Sequence, residues 1–439
     1  MSTFILKTGF APAACDDKKL NTGHFLFSVI LSSVLLVAFA GTVQAQSYDL
    51  LLKGGHLIDP RNEIDGTMDV AVKDGKIMRV AENISEDEAG RVVDAAGLYV
   101  TPGLIDIHGH HFHGTEPNSY LSNSFTALAP DGFTFRAGVT TAVDVGGAGW
   151  TNFRQFKEQV IDRSRTRVLS FINIVGSGMK GSVVEQNLND MDPKMTALVA
   201  GRYPEIVGVK IAHYSGHEWE PYQRAVEAAG EAGVPVMVDF GGANPPLPLE
   251  ELFFDILRPG DIYTHAYGGG VTSHGGRQSV IDEDGNLRPN MLEAQERGII
   301  FDIGHGGGSF FYEVAVPAFE QGLRPNTIST DLHTGSMNGG MKNMLNVVSN
   351  MMMLGMSLQE VIEASTWTPA TVIQREDLGH LSEGAVADIA VFSLLEGEFG
   401  FLDSRRNLLY GDEKLETELT IREGSVVYDL NGLASDIFE

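Results

Sequence analysis

The chain carries thirteen histidines, and ten of them fall between His108 and His333. His108 and His110 stand two apart in Asp106-Ile-His-Gly-His, at the end of an apolar run opened by Pro102-Gly103-Leu104. Side chains two apart on a strand share a face, so one cation can bridge this pair. Further groups recur at the ends of later apolar runs. Lys210 ends Ile-Val-Gly-Val-Lys, where an unpaired ammonium is costly to bury. Asp239 ends Pro-Val-Met-Val-Asp, His265 ends Asp-Ile-Tyr-Thr-His, and Asp331 ends Thr-Ile-Ser-Thr-Asp. Any one of these alone reads as a hydrogen-bonded polar group of the core. Five successive hits at strand ends, counting the His pair once, read as one shared site. The single cysteine, Cys15, lies in the N-terminal segment, so a metal there must be held by His, Asp, Glu or a modified Lys.

Such residues need a scaffold that brings strand ends together. Apolar strands are expected at 104–108, 140–145, 168–175, 207–212, 235–240, 261–265, 299–304 and 327–331, with helical stretches at 152–163, 221–232 and 310–321 among those between them. This alternation predicts an α/β fold, a (β/α)8 TIM-like barrel over residues 103–380, whose strand C-termini meet at one mouth. A doubly wound sheet is the alternative, but its first strand usually runs into a glycine-rich nucleotide turn, and here it runs into histidines. Residues 46–102 and 381–439 read as short strands, with a hairpin signal at Asp74-Gly75, and predict one small β-sandwich domain built from both chain ends.

Residues 25–40 form an apolar run after Lys18 and Lys19, followed by small residues up to Ala45. This pattern predicts a secretory signal over residues 1–45, cut before Gln46, and hence an exported, periplasmic or secreted protein. The run is shorter than the ~20 residues of a spanning helix, so no stable membrane insertion is expected after cleavage; an uncleaved anchor is the alternative. The chain has 31 basic and 58 acidic residues, a formal charge of -27. That sign repels phosphate backbones and excludes general nucleic-acid or anionic-membrane binding. With no repeat or low-complexity tract, solenoids and extended disorder are excluded too.

The layout resembles the amidohydrolase superfamily, and within it the amidohydrolase/deacetylase metallohydrolases related to dihydroorotases and hydantoinases. The carriers are PGLIDIHGH at 102–110, AGVTTAVDVG at 137–146, VGVK at 207–210, GDIYTHAYGG at 260–269, FDIGHGGGSF at 301–310 and TISTDLH at 327–333, with TWTPA at 366–370 and LSEGAVADIAVF at 381–392. The resemblance implies one or two divalent ions, zinc first and manganese second. It implies His108 and His110 as ligands of the first ion, Lys210 as a CO2-derived carbamate bridging two ions, His265 on the second, and Asp331 as both ligand and proton shuttle. The family's strand-5 ligand is a histidine; here Asp239 stands at that position, a carboxylate that favours harder ions. His305, His213 and His333 are substrate-binding candidates. His111, His113, His213 and His217 read as groups that line the pocket or replace a lost ligand, with a supporting or surface position as the alternative for each. Lys180 reads as a solvated loop lysine, and Met351 to Met353 as helix core.

The function expected is metal-dependent hydrolysis of an amide, N-acyl or cyclic, or of an ester in a small molecule, by metal-activated water with Asp331 moving the proton. Dihydroorotase itself is disfavoured: its relatives use HxHxR to grip a carboxylate, and Phe112 stands at that position. Two alternatives remain. One is a mononuclear deaminase of the same superfamily, against which Lys210 speaks. The other is an inactive exported ligand-binding protein. The partner expected is a small-molecule substrate, and a homo-oligomer is allowed.

Overall fold

The structure is a computed structural model that describes residues 46–116, 122–181, 183–269 and 276–436. The expected signal, with Cys15, lies outside the described residues. Among these, no helix is long and apolar enough to cross a membrane.

The chain opens with β1 (Leu50–Asp59), β2 (Ile64–Lys73) and β3 (Lys76–Ala81), then β4 (Val92–Asp94) and β5 (Tyr99–Pro102). β2 and β3 pair antiparallel with Lys73 opposite Lys76, so Asp74-Gly75 forms a two-residue turn. Both turn residues have positive φ, 50° and 75°. That is the conformation an Asp-Gly hairpin turn requires. After the barrel the chain returns with β13 (Ile389–Leu402), β14 (Leu408–Arg422) and β15 (Ser425–Asp429). These join the opening strands in one eight-stranded sheet, ordered β15-β14-β13-β5-β1-β2-β3 with β4 on β1. The seam is the antiparallel β5–β13 pair, Val100 opposite Val391. Leu52, Val70, Val100, Ile389, Val391 and Leu419 share one hydrophobic core, so neither chain end can bury its apolar face without the other.

Between them lies a second sheet, wholly parallel: β6 (Leu104–Gly109), β7 (Val139–Gly149), β8 (Arg167–Asn173), β9 (Ile206–Ile211), β10 (Val236–Val238), β11 (Ile262–Tyr263) and β12 (Ile300–Phe301), paired in sequence order. The eighth member, 327–332, makes only isolated parallel bridges. It pairs Thr327 with Asp302 on one side and Leu332 with Gly109 on the other, and so links the last strand back to the first. The His110 amide donates to the Leu332 carbonyl at 2.9 Å across that closure. The fold is therefore a TIM-like barrel with the small β domain made from both chain ends.

Local sequence explains the helices that wrap it. Helix Glu220–Ala232 has Pro221 in its first turn and buries Tyr222, Ala225, Ala228 and Ala229, one face at helical spacing. It stops at Gly233, φ 73°, a left-handed end that glycine adopts without strain. The expected helix at 152–163 is instead a short α-helix, Phe153–Phe156, running into a π-turn, Lys157–Ile161. Helix Met344–Met353 is capped by Asn343, whose side chain accepts from the Asn346 amide, and its Met351 is fully buried.

Candidate metal centre and active site

All the strand-end groups singled out above arrive at the mouth where β6, β9, β10, β11 and the segment 327–332 end. His108, His265 and Asp331 present donor atoms that all lie within 4.8 Å of one another, and all three are buried. His110 Nε2 lies 3.0 Å from Asp331 Oδ1, and His108 Nε2 lies 3.6 Å from the same oxygen. His265 and Asp331 leave their strands with φ of 58° and 50°. Left-handed backbone at a non-glycine residue costs about 1–3 kcal/mol and tends to collect at functional sites.

The tautomers follow from the hydrogen bonds. His265 Nδ1 meets the Gly304 carbonyl at 2.6 Å, and a carbonyl only accepts, so Nδ1 carries the proton. His108 Nδ1 meets the Thr264 hydroxyl at 2.8 Å, and that hydroxyl donates to Asp302 at 2.7 Å. The chain His108 to Thr264 to Asp302 again places the proton on Nδ1. Both rings therefore turn a lone pair on Nε2 into the mouth, the arrangement of metal-binding histidines. Burial is the main cause that holds these imidazoles neutral. The pKa of His110 falls to about 3 and that of His265 to about 4, while His108 lies well below the usual range. Burial pushes Asp331 upward, against the favourable fields of His265, His333 and Lys210. Neutral imidazoles and a carboxylate are the ligating forms for a borderline divalent ion.

Lys210 is 1% exposed, and its Nζ has no hydrogen-bond partner among the described residues. Burial lowers its pKa, opposed by the carboxylates of Asp239, Asp331 and Asp302. A buried amine with no hydrogen-bond partner among the described residues is costly to hold as an ammonium. The residues present thus fit a divalent ion.

Asp239 meets three basic side chains. Its Oδ2 lies 3.4 Å from His213 Nε2 and 3.7 Å from His265 Nε2, while Arg277 pairs with its Oδ1. Burial alone would raise its pKa; His265, Arg277, His213 and Lys210 together bring it far below the carboxylate range. His213 is anchored at Nδ1 by Glu185 Oε2 at 2.6 Å.

The other candidates divide. His333 Nε2 lies 3.9 Å from Asp331 Oδ2, at the rim of the cluster. His305 is fully buried, its ring stacked on Phe310 at 4.7 Å, with no partner for Nε2 among the described residues. His111 is buried beneath Gly109, and His217 is exposed. Lys180 donates to the Asn123 carbonyl and is exposed. Phe112 is fully buried against Phe156, ring centroids 5.0 Å apart, so nothing at that position grips a carboxylate.

Several supporting groups were not singled out from sequence. Asp302 accepts from Thr264, Thr327 and Ser329, each at 2.7 Å, and ties three strand ends together. Asp106 accepts from the Thr330 amide at 3.0 Å and from its hydroxyl at 2.5 Å, fixing the segment that carries Asp331. The one available signal for Asp106 was its parity with His108 and His110. Glu185 lies in a single 3-10 turn, Val184–Gln186, and Arg277 in a loop, and neither had one.

Residues 312–427 match the sequence profile of the amidohydrolase family. A deacetylase of Brucella anthropi is 34% identical over 349 residues, covering 77% of this chain and 83% of the relative. The chain belongs to the amidohydrolase superfamily. A crystal structure of a dihydroorotase aligns with a TM-score of 0.75 at 30% identity, covering 87% of this chain and 99% of that one. A crystal structure of an adenine deaminase aligns with a TM-score of 0.77 at 27% identity, covering 87% and 100%. This member is a metal-dependent carbon–nitrogen hydrolase of the amidohydrolase/deacetylase type.

Proposed function

We propose that the chain is an exported deacetylase-type amidohydrolase that removes an acyl group from the nitrogen of a small molecule or opens a cyclic amide, with small esters as further substrates. The observation that carries this reading is the meeting of Asp331 with the neutral His108, His110 and His265 beside the unpaired Lys210. The similarity to a named deacetylase supports the bond type.

His108, His110, Lys210 as its carbamate, His265 and Asp331 would hold the ions, zinc or manganese. A divalent ion bound there supplies Lewis acidity and lowers the pKa of water to near 7. The protein's own groups do the rest. Asp331, raised by burial, takes the proton of the attacking water and delivers it to the leaving nitrogen or oxygen. The Asp302–Thr264 relay holds His108 in one tautomer throughout. His305, whose Nε2 has no partner among the described residues, and His333, beside Asp331, would orient the substrate. Gly304 and Gly306 keep the loop after β12 close to Asp331 and His265 without a side chain intervening.

A mononuclear deaminase has no use for Lys210, which the barrel nonetheless buries in the mouth. The N-terminal signal pattern supports work outside the cytoplasm. The test is a hydrolysis screen of N-acyl amino acids, cyclic amides and small esters with zinc- and manganese-loaded protein. Release of acid from at least one amide class supports the reading; ammonia release from an aminopurine, without amide cleavage, contradicts it. N-terminal sequencing of protein from the native host should begin near Gln46; a full-length chain would contradict export.

A further inference from the structure

We propose that His213 is a ligand of a second divalent ion, together with Asp239 and His265. The assignment rests on the metal-dependent reading above and deepens it. The end of β10 holds a carboxylate, Asp239, in the mouth. The structure supplies an imidazole from elsewhere: the chain leaving β9 turns at His213, φ 57°, and brings its ring to the side of Asp239.

Three observations converge. His213 is anchored as His108 and His265 are. Its Nδ1 meets an acceptor, Glu185 Oε2 at 2.6 Å, and its Nε2 faces the mouth. A carboxylate behind a histidine is the usual support of a metal ligand. Glu185 is itself fully buried and held by the Gly181 amide, which donates to its Oε1 at 3.0 Å, so Oε2 meets the His213 ring from a fixed position. Next, two imidazole Nε2 atoms from different strands aim at one oxygen, Asp239 Oδ2, at 3.4 and 3.7 Å. Both distances are long for a hydrogen bond and close to the ~3.4 Å that separates donor atoms around a tetrahedral ion with bonds near 2.1 Å. Finally, Arg277 occupies the other oxygen, Oδ1, and donates through Nε to the Phe240 carbonyl. It orients Asp239 and leaves Oδ2 as the atom turned toward the two rings. Asp239 and His213 thus offer an oxygen and a nitrogen to one position, and Lys210, without a hydrogen-bond partner among the described residues, lies within the field of the same carboxylate and would bridge as a carbamate.

The experiment is metal analysis of purified full-length mature protein, loaded with zinc or cobalt in bicarbonate buffer and freed of excess ion. Wild type is expected to hold two ions per chain and His213→Ala one, with the cobalt visible absorption reduced accordingly. Glu185→Gln is expected to keep both, but to lose the second to a competing chelator at about 10–100-fold lower chelator concentration. Thermal unfolding of the metal-free variants checks that each is folded. If His213→Ala unfolds, the Glu185→Gln competition decides alone. Two ions in folded His213→Ala overturn the assignment, as expected if His213 is only an imidazolium paired with Glu185 and Asp239. One ion in wild type overturns it as well. Neither result touches the hydrolase reading, which falls only if folded wild type binds no metal and cleaves no amide.

Discussion

Gly306 is the position where a single methyl group should separate catalysis from folding. Its φ is 55°, and a Cβ built there would stand 2.2 Å from Asp331 Oδ2, where real Cβ atoms approach no closer than 3.0 Å. In Gly306→Ala the carboxylate must therefore retreat by at least about 0.8 Å, since the alternative is to move backbone pinned by the Gly306 amide to the Thr330 carbonyl at 2.9 Å. Retreat disturbs the 3.0 Å approach of Oδ1 to His110. A displacement of about 1 Å at a reacting group can cost on the order of 100-fold in rate, so kcat/KM should fall by roughly that factor. Stability should fall by only about 1–2 kcal/mol, the cost of a left-handed alanine, a drop of roughly 4 °C at most in the thermal midpoint. Gly308→Ala is the control: the same loop, no positive φ, and nothing within 4 Å of the added methyl. The assay is steady-state hydrolysis by both variants at full metal loading, beside thermal unfolding. Wild-type kcat/KM in a folded Gly306→Ala would refute the claim that Asp331 works from this position.

Two further outcomes follow from polar groups. Asp302→Asn keeps the shape but not the charge that orders Thr264, Thr327 and Ser329, so His108 loses its fixed tautomer; metal affinity should fall about 10–100-fold in chelator competition while the barrel stays folded. In the small β domain, Asp69 is buried and accepts from the Gly54 and Ile84 amides at 2.8 Å and from Lys53 at 2.7 Å. Burial alone would raise its pKa, but Lys53 and the two amides bring it net below the usual value. A depressed folded pKa means stabilisation that is complete above the unfolded carboxylate's value near ~4 and is lost as pH falls through the folded value. Asp69→Asn should cost about 1.5–3 kcal/mol at pH 7 by thermal unfolding of the metal-free protein, and the difference should shrink below pH 4.

The barrel and its mouth were legible because each strand is a short apolar run that ends in a group no core wants unpaired. His108, Lys210, Asp239, His265 and Asp331 all announce themselves by that contrast. The small domain was legible through period-two runs and the Asp74-Gly75 turn. The supports were not. Asp302 sits one residue past β12, in a run whose histidine and glycines draw attention first, and its role appears only when Thr264, 38 residues away, is folded beside it. Arg277 reaches Asp239 across 38 residues from a loop, and Glu185 reaches His213 across 28 from a single 3-10 turn, where no periodicity marks the partner. Loop residues acquire their meaning from contacts distant in sequence, and spacing alone carries no signal for those. The helical stretch expected at 152–163 is present over 153–161, but its second half, Lys157–Ile161, is a wider π turn that apolar spacing does not mark.

The central claim is that hydrolysis depends on divalent metal held by His108, His110, His265 and Asp331. The most direct measurement is the hydrolysis rate of the best amide substrate as chelator-stripped protein is titrated with zinc in bicarbonate buffer. The account predicts a folded, inactive stripped protein whose rate rises with bound metal to the wild-type value, and no rise in His108→Ala. Full activity in the stripped protein, or in His108→Ala, would contradict it.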